Sequence, residues 1–156
     1  MASRDWPVKS LQNLERVGSL RPEPADPREV RRYLASAGRF LADARKTANS
    51  LETRFAVAYN AVHALAVAAL RANDYRTAQE KGHRRLVFEL LPHSCGAEKG
   101  DALALVRAHE KRNKVEYDGI AEITQREAAD LVAIAGRIQA CVEAWLKRRR
   151  PHLLKP

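Results

Sequence analysis

Residues that could carry out acid–base and phosphate chemistry gather within residues 102–119, ALALVRAHEKRNKVEYDG. On a helix that turns about 100° per residue, this stretch begins apolar and becomes polar without changing face. Its polar members fall within roughly 140° of one another; they are His109, Arg112, Asn113, Glu116 and Tyr117. Because an unpaired buried polar group costs about 1–3 kcal/mol, we expect water in a cleft, a partner subunit or a ligand to satisfy these side chains.

Other signatures of enzyme chemistry are missing from the sequence. It has no glycine-rich phosphate loop, no H-E-x-x-H run and no glycine-flanked serine nucleophile. The five histidines are scattered along the chain, and Cys95 and Cys141 have neither the number nor the spacing of a disulfide framework or a zinc site. We therefore predict that the protein uses no metal and no cofactor.

The composition describes one basic domain. A chain of 156 residues suits a single core, and 28 Lys and Arg against 19 Asp and Glu give a formal net charge of +9. This charge favours a polyanionic partner such as RNA, with a merely arginine-rich surface as the alternative. The start of the chain lacks a signal peptide's apolar core, and the apolar run at residues 55–70 is shorter than a membrane span needs. We predict a cytoplasmic protein without a membrane partner.

Helical periodicity runs through the first half of the chain, and no strand pattern of period two appears. The spacing of apolar residues predicts a short amphipathic helix over residues 8–20, followed by a proline-rich strap. Asp26 and Pro27 form a start signal for a helix to about residue 48, and Ser50 caps an alanine-rich helix that we expect to be the most buried. Tyr59 and His63 lie on or beside its apolar face and need polar partners, most simply as hydrogen-bonded core residues.

The second half of the chain predicts three more helices. His83 begins a short helix that Pro92 ends. Residues 102–119 form the next helix, and Thr124 with Glu127 caps the final helix of the bundle. The fold class is therefore all-α, an up-and-down bundle of four main helices plus short ones. We divide the chain into an N-terminal helix and strap at residues 1–26, a bundle at residues 27–147 and a basic tail at residues 148–156.

The order of these elements resembles the HEPN superfamily of small helical domains. Three features carry the resemblance: AVAYNA at residues 56–61, His83 after Lys81-Gly82 at the start of the next short helix, and RNKVEYDG at residues 112–119 before the final helix. The resemblance spans roughly residues 27–145. It implies a HEPN-like bundle that forms a homodimer with two R-N motifs across a shared cleft. It also implies a toxin–antitoxin or defence system, often with a minimal nucleotidyltransferase as antitoxin.

Family members that act as ribonucleases cut RNA without a metal, and the resemblance assigns roles by position. Arg112 corresponds to the phosphate ligand, and Asn113 to the polar group that orients the site; Glu116 and His83 are further predicted substrate contacts. Tyr117 stands where the active members have a histidine that transfers protons. A phenol with a pKa near 10 accepts a proton poorly at neutral pH, so Tyr117 needs a strong pKa shift to act as a base.

His109 is a candidate replacement base. It lies three residues before Arg112 and four before Asn113, on the same predicted face. The predicted catalytic residues are thus Arg112, His109 and Tyr117. The alternative is that His109 only bonds Asn113 or a neighbouring helix.

The sequence leaves three functions open. We favour a HEPN-like protein that binds RNA, a nucleotide or a nucleotidyltransferase partner through a polar cleft at the R-N motif; if it is an enzyme, it is a metal-independent endoribonuclease. The alternatives are a catalytically inactive dimeric interaction module and a protein that a partner enzyme modifies by attaching AMP to Tyr117.

Overall fold

Helices dominate the computed structural model of the protein, which describes residues 6–78, 83–119 and 122–156. Predictions that fall on residues 1–5, 79–82 and 120–121, Lys81 and Gly82 among them, lie outside the described residues. In chain order the elements are α1 (Trp6–Arg16), β1 (Leu20–Pro22), α2 (Pro27–Ala44), α3 (Leu51–Ala72), β2 (Tyr75–Thr77), α4 (His83–Glu89), α5 (Leu91–Ser94), α6 (Lys99–Asn113), a π-helical turn (Lys114–Asp118), α7 (Gln125–Arg149) and a 3₁₀ turn (Pro151–Leu154). The predicted all-α class is confirmed.

The predicted start signals are present at three helices. The Asp26 carboxylate accepts a hydrogen bond from the Arg28 amide at 2.9 Å at the start of α2. At the start of α3 the Ser50 hydroxyl accepts one from the Thr53 amide at 3.1 Å. Thr124 and Glu127 form a complete capping box at α7. Each such cap satisfies an amide that the helix itself leaves unpaired and contributes about 1 kcal/mol.

Helix α3 forms the centre of the core. It packs against α2 and α7, and fully buried alanines such as Ala58, Ala61 and Ala69 line its contacts. By length and composition α3 could cross a membrane, but 72% of its apolar window is buried inside the fold. That degree of burial is typical of a core helix, so the prediction that α3 is the most buried element is confirmed.

A two-stranded antiparallel sheet joins the strap to the segment after α3. Leu20 pairs with Thr77, and Pro22 pairs with Tyr75. The expectation that the chain has no strand is wrong at this point, because strands of three residues are too short to show an alternating pattern.

Arg71 holds this sheet and the strap against the bundle. Its side chain is only 2% exposed. Its Nε donates to Glu29 Oε1 at 2.7 Å, and its terminal nitrogens donate to the main-chain oxygens of Glu23 and Pro24 at 2.8 Å and of Tyr75 at 3.1 Å. A buried guanidinium is stable in this position because a carboxylate and main-chain oxygens surround it.

The C-terminal residues pack on the same end of the molecule. Helix α7 continues to Arg149, and Leu153 in the following turn is 1% exposed. Arg150 donates to the main-chain oxygen of Ala72 at 2.8 Å and to Asp74 Oδ2 at 3.1 Å. The segment that we predicted to be a basic tail therefore includes the end of α7 and a residue of the core.

Several predicted helix ends are displaced. Helix α2 ends at Ala44 rather than near residue 48, and α4 ends at Glu89, so that Pro92 lies inside the short helix α5 instead of closing α4. The helix predicted over residues 8–20 ends at Arg16, and Val17, which follows it, is 73% exposed. Gly119 ends the π-helical turn in a left-handed conformation with φ of 69°, which glycine adopts without a steric penalty.

Candidate functional site

Side chains from α3, α4 and α6 meet in one polar and aromatic cluster. Tyr59 and His63 lie one turn apart on α3, and Arg84 and Phe88 lie one turn apart on α4, so each pair shares a face of its helix. We call this group the α3–α4–α6 cluster; its members are Tyr59, His63, His83, Arg84, Phe88, His109, Arg112 and Asn113.

His109 is held from both ring nitrogens. The Tyr59 hydroxyl oxygen lies 2.8 Å from Nδ1, and Asn113 Nδ2 lies 3.4 Å from Nε2. An amide nitrogen can only donate, so the consistent assignment has Nε2 accepting from Asn113 and Nδ1–H donating to the Tyr59 oxygen. The lone pair of the neutral ring is then on Nε2, on the side of the cluster where Asn113 lies.

Positive charge lies close to this imidazole. Cζ of Arg112 is 5.1 Å from the centroid of the Tyr59 ring, and Cζ of Arg84 is 5.8 Å from it; both distances are in the range of cation–π contacts. Burial, and then the charges of Arg112 and Arg84, lower the pKa of His109 below its ordinary value of about 6.5. His109 is therefore neutral at pH 7 and can accept a proton.

His63 extends the cluster towards the start of α4. Its ring centroid lies 5.8 Å from that of His83 and 6.2 Å from that of Phe88. Burial, followed by the charge of Arg84, lowers the pKa of His63 to about 3. Nε2 of His63 and Nη1 of Arg84 are buried and have no hydrogen-bond partner among the described residues. Such atoms gain free energy from any ligand that supplies the missing bond.

A cavity of about 380 Å³ adjoins the cluster. His63 and His83 line it on the side of the cluster, and Arg71 and Arg76 line it elsewhere. Both arginines pair with Glu29, at 2.7 and 3.1 Å, which neutralises part of the positive charge of the cavity. The positive charges of the cluster are neutralised less: Arg112 pairs with Glu116, a half-exposed carboxylate, at 3.1 Å.

No protein-family model, curated protein or solved structure matches this chain. The HEPN resemblance stays a prediction carried by the sequence motifs. The chemistry available to the protein follows from the geometry of the cluster itself.

The structure brings most of the predicted site residues together. His109, Arg112 and Asn113 are members of the cluster, and His83 joins it through His63. Glu116 lies at its edge as the ion-pair partner of Arg112. His109 forms hydrogen bonds with Asn113 and with Tyr59 of the neighbouring helix α3. These are the bonds expected if His109 has only a structural role, and they also fix the orientation of its ring, which a general base needs.

Tyr117 is the predicted site residue that the structure places elsewhere. Its side chain is 79% exposed, so Tyr117 does not lie in a buried cleft within one chain. A cleft formed with a second copy stays a prediction. The physical reason for the exposure is that α6 runs past the helices that cover it: the contacts of the π-helical turn are mainly with α6, and none of its residues is buried. A face defined by rotation alone does not say where the neighbouring helices end.

Sequence reasoning identified Tyr59 and His63 as polar groups that need partners but did not pair them with the R-N motif. Tyr59 and His109 are 50 positions apart, and no local spacing connects them. Arg84 was missed altogether. Its position one residue after His83, at the start of a predicted short helix, could have indicated that it lies beside His83 at the site.

Proposed function

We propose that this protein is a HEPN-like bundle protein of a toxin–antitoxin or defence-type system that binds RNA at the α3–α4–α6 cluster and cleaves it without a metal. One observation carries the proposal: an imidazole, held by Tyr59 and Asn113, lies in a cluster that also holds Arg112 and Arg84. The formal net charge of +9 supports an anionic ligand.

The two arginines would hold the phosphate. Arg112 Nε pairs with Glu116, which leaves its terminal nitrogens as the fork that suits two phosphate oxygens. Nη1 of Arg84 is buried without a partner among the described residues and would gain a charge-assisted hydrogen bond. Both cations would also stabilise the negative charge that develops on the phosphate during cleavage.

His109 would act as the general base. The ribose 2′-hydroxyl would replace Asn113 Nδ2, which lies 3.4 Å away, as the partner of Nε2. Nε2 would then remove the hydroxyl proton, and the resulting oxygen would attack the adjacent phosphorus. The bond from phosphorus to the 5′-oxygen breaks, a 2′,3′-cyclic phosphate forms, and the 5′-oxygen takes up a proton from water and leaves as a hydroxyl. The protonated His109 returns its proton to water afterwards. The depressed pKa of His109 keeps the base unprotonated at neutral pH, a role for which the exposed Tyr117 is poorly suited.

RNA binding is tested with a fluorescently labelled single-stranded RNA and anisotropy at fixed salt. Arg112→Ala and Arg84→Ala should each weaken binding about tenfold or more, because loss of a charge-assisted contact costs about 1.5–3 kcal/mol. The matched control is Arg107→Ala, which removes the same charge from an exposed position on α6 and should change the affinity less than twofold. Equal losses in all three variants would reduce binding to general charge attraction and refute this site.

Cleavage is tested with total RNA in the presence of EDTA. The wild-type protein should produce fragments that end in a cyclic phosphate, and His109→Ala should lose at least 99% of this activity while Arg107→Ala keeps it. Normal cleavage by His109→Ala removes His109 from the mechanism. If the wild-type protein binds RNA but leaves it intact, the interaction-module alternative is correct.

The exposure of Tyr117 favours a second function. A phenol that is 79% exposed on a π-helical turn is accessible to a modifying enzyme, and π-helical turns often mark functional positions. In this alternative a minimal nucleotidyltransferase partner transfers AMP to Tyr117. Incubation with such an enzyme and ATP, followed by peptide mass spectrometry, should show AMP on Tyr117 and none on a Tyr117→Phe protein. Modification at another residue or none contradicts it.

The homodimer and the cytoplasmic location belong to the same proposal. Analytical ultracentrifugation at several concentrations measures the oligomeric state, and a purely monomeric protein would contradict a site shared between two copies.

A further inference from the structure

The two cysteines meet in the fold although 46 positions separate them in the sequence. Cys95 caps the end of α5, and Cys141 lies on α7. Both are free thiols, and their sulfurs are 3.8 Å apart. A disulfide has a sulfur–sulfur distance of about 2.05 Å, so the two sulfurs would have to approach by about 1.75 Å to bond.

The bonds that hold the thiols apart are weak. The Cys95 thiol donates to the Leu91 main-chain oxygen at 3.4 Å, and the Cys141 thiol donates to the Cys95 main-chain oxygen at 3.3 Å. Thiols are poor hydrogen-bond donors. Cys95 also stands between a short helix and a loop whose next residue, Gly96, has a positive φ of 74°, so no long helix fixes its main chain.

The two thiols differ in access to solvent. Cys95 is 2% exposed, whereas Cys141 is half-buried. The side-chain hydrogen bond with Cys95 and the charge of Arg148 lower the pKa of Cys141, and the same hydrogen bond together with burial raises the pKa of Cys95. Since the thiolate is the nucleophile, Cys141 reacts first with an oxidant from solvent and Cys95 is positioned to react second.

We propose that Cys95 and Cys141 form a modification site at which a peroxide oxidises the two thiols to a reversible intramolecular disulfide. The Cys141 thiolate attacks one oxygen of hydrogen peroxide; the oxygen–oxygen bond breaks, water is released after protonation, and Cys141 becomes a sulfenic acid. The Cys95 sulfur then attacks the Cys141 sulfur, loses its proton, and displaces the hydroxyl as a second water. Two thiols are oxidised by two electrons, and one peroxide is reduced to two waters.

The disulfide would fasten the end of α5 to α7. Six residues after Cys95, Asp101 of α6 already forms a bidentate ion pair with Arg137 of α7, at 2.9 and 3.2 Å. Arg137 lies one turn before Cys141 on α7. Oxidation would add a covalent link beside this ion pair. The inference is independent of the proposed RNA function, because it depends on thiol chemistry at other residues.

The test treats the reduced full-length protein with hydrogen peroxide and quenches it with a maleimide. The expected result is the loss of both thiols per chain, a peptide pair joining Cys95 to Cys141 in the mass spectrum, and recovery of both thiols with dithiothreitol. A protein that keeps both thiols, or that forms a disulfide only between chains, overturns the proposal.

Two variants test the order of the steps. In Cys95→Ser, Cys141 should still react, and dimedone should trap its sulfenic acid because the second thiol is missing. In Cys141→Ser, the buried Cys95 should react at least tenfold more slowly than Cys141 does in the other variant. Equal reaction rates of the two single cysteines, or dimedone labelling of wild-type protein as strong as that of Cys95→Ser, would show that the pair does not work in this sequence.

Discussion

Replacement of Arg71 by methionine should cost a large share of the stability of the fold. The substitution keeps the apolar stem but removes every donor, which leaves Glu29 without its partner at 2.7 Å and the main-chain oxygens of Glu23, Pro24 and Tyr75 without a donor. Removal of one partner from a buried charge pair costs about 3–5 kcal/mol. A domain of this kind has a free energy of unfolding of about 5–15 kcal/mol, so we expect Arg71→Met to lose at least about a fifth of it.

Urea unfolding at pH 7, followed by circular dichroism, measures this effect. Arg71→Lys keeps the charge but offers its donors from a single atom, so its loss should be intermediate. Arg76→Met is the matched control, because this arginine pairs with the same Glu29 but is 31% exposed and should cost about 1 kcal/mol. A loss below about 1 kcal/mol for Arg71→Met, or a loss equal to that of Arg76→Met, would refute the role assigned to the buried guanidinium.

Three further predictions concern pH and backbone conformation. Burial raises the pKa of Glu29, but hydrogen bonds from Arg71 and Arg76 outweigh it and lower the pKa overall. The stability that ionised Glu29 contributes to the fold is therefore present above about pH 4.3 and lost in acid. The urea midpoint of Glu29→Gln should depend less on pH between 5 and 3 than that of the wild type. His63, with a pKa of about 3, takes up a proton on unfolding below about pH 6.5, so it should account for the loss of about 2 kcal/mol of stability between pH 7 and 5. The same titration of His63→Gln should show a loss that is smaller by about this amount but not absent, because the pKa of His109 is also lowered. Gly119→Ala should lower the free energy of unfolding by about 1 kcal/mol, because the φ of 69° is unfavourable for alanine. The control is Gly100→Ala, which lies inside α6 with open space around its added Cβ; thermal denaturation should show it to be neutral or stabilising.

The sequence was informative wherever a few neighbouring residues decide the structure. Asp26, Ser50 and Thr124 begin their helices as predicted because a cap needs only one side chain and an amide two or three residues later. The left-handed end at Gly119 follows from the same local logic.

Contacts between distant segments could not be predicted in this way. The pairing of Tyr59 with His109, the meeting of Cys95 with Cys141 and the sheet beside Arg71 all depend on how helices cross, which spacing along one helix does not encode. The exposure of Tyr117 was unpredictable for the same reason, because the angle of a residue on one helix does not say which neighbouring helices cover it.

The alanines of α3 determine how this core would tolerate sequence change. The side chains of Ala61 and Ala69 are fully buried and consist of a single methyl group. Substitution by a larger residue is therefore the change that damages the core at these positions. One or two added methylene groups force neighbouring helices apart or side chains out of their rotamers, at about 1–3 kcal/mol each. Sequence drift along this helix is therefore limited by crowding, and a larger residue is accepted only together with a smaller one on the facing helix.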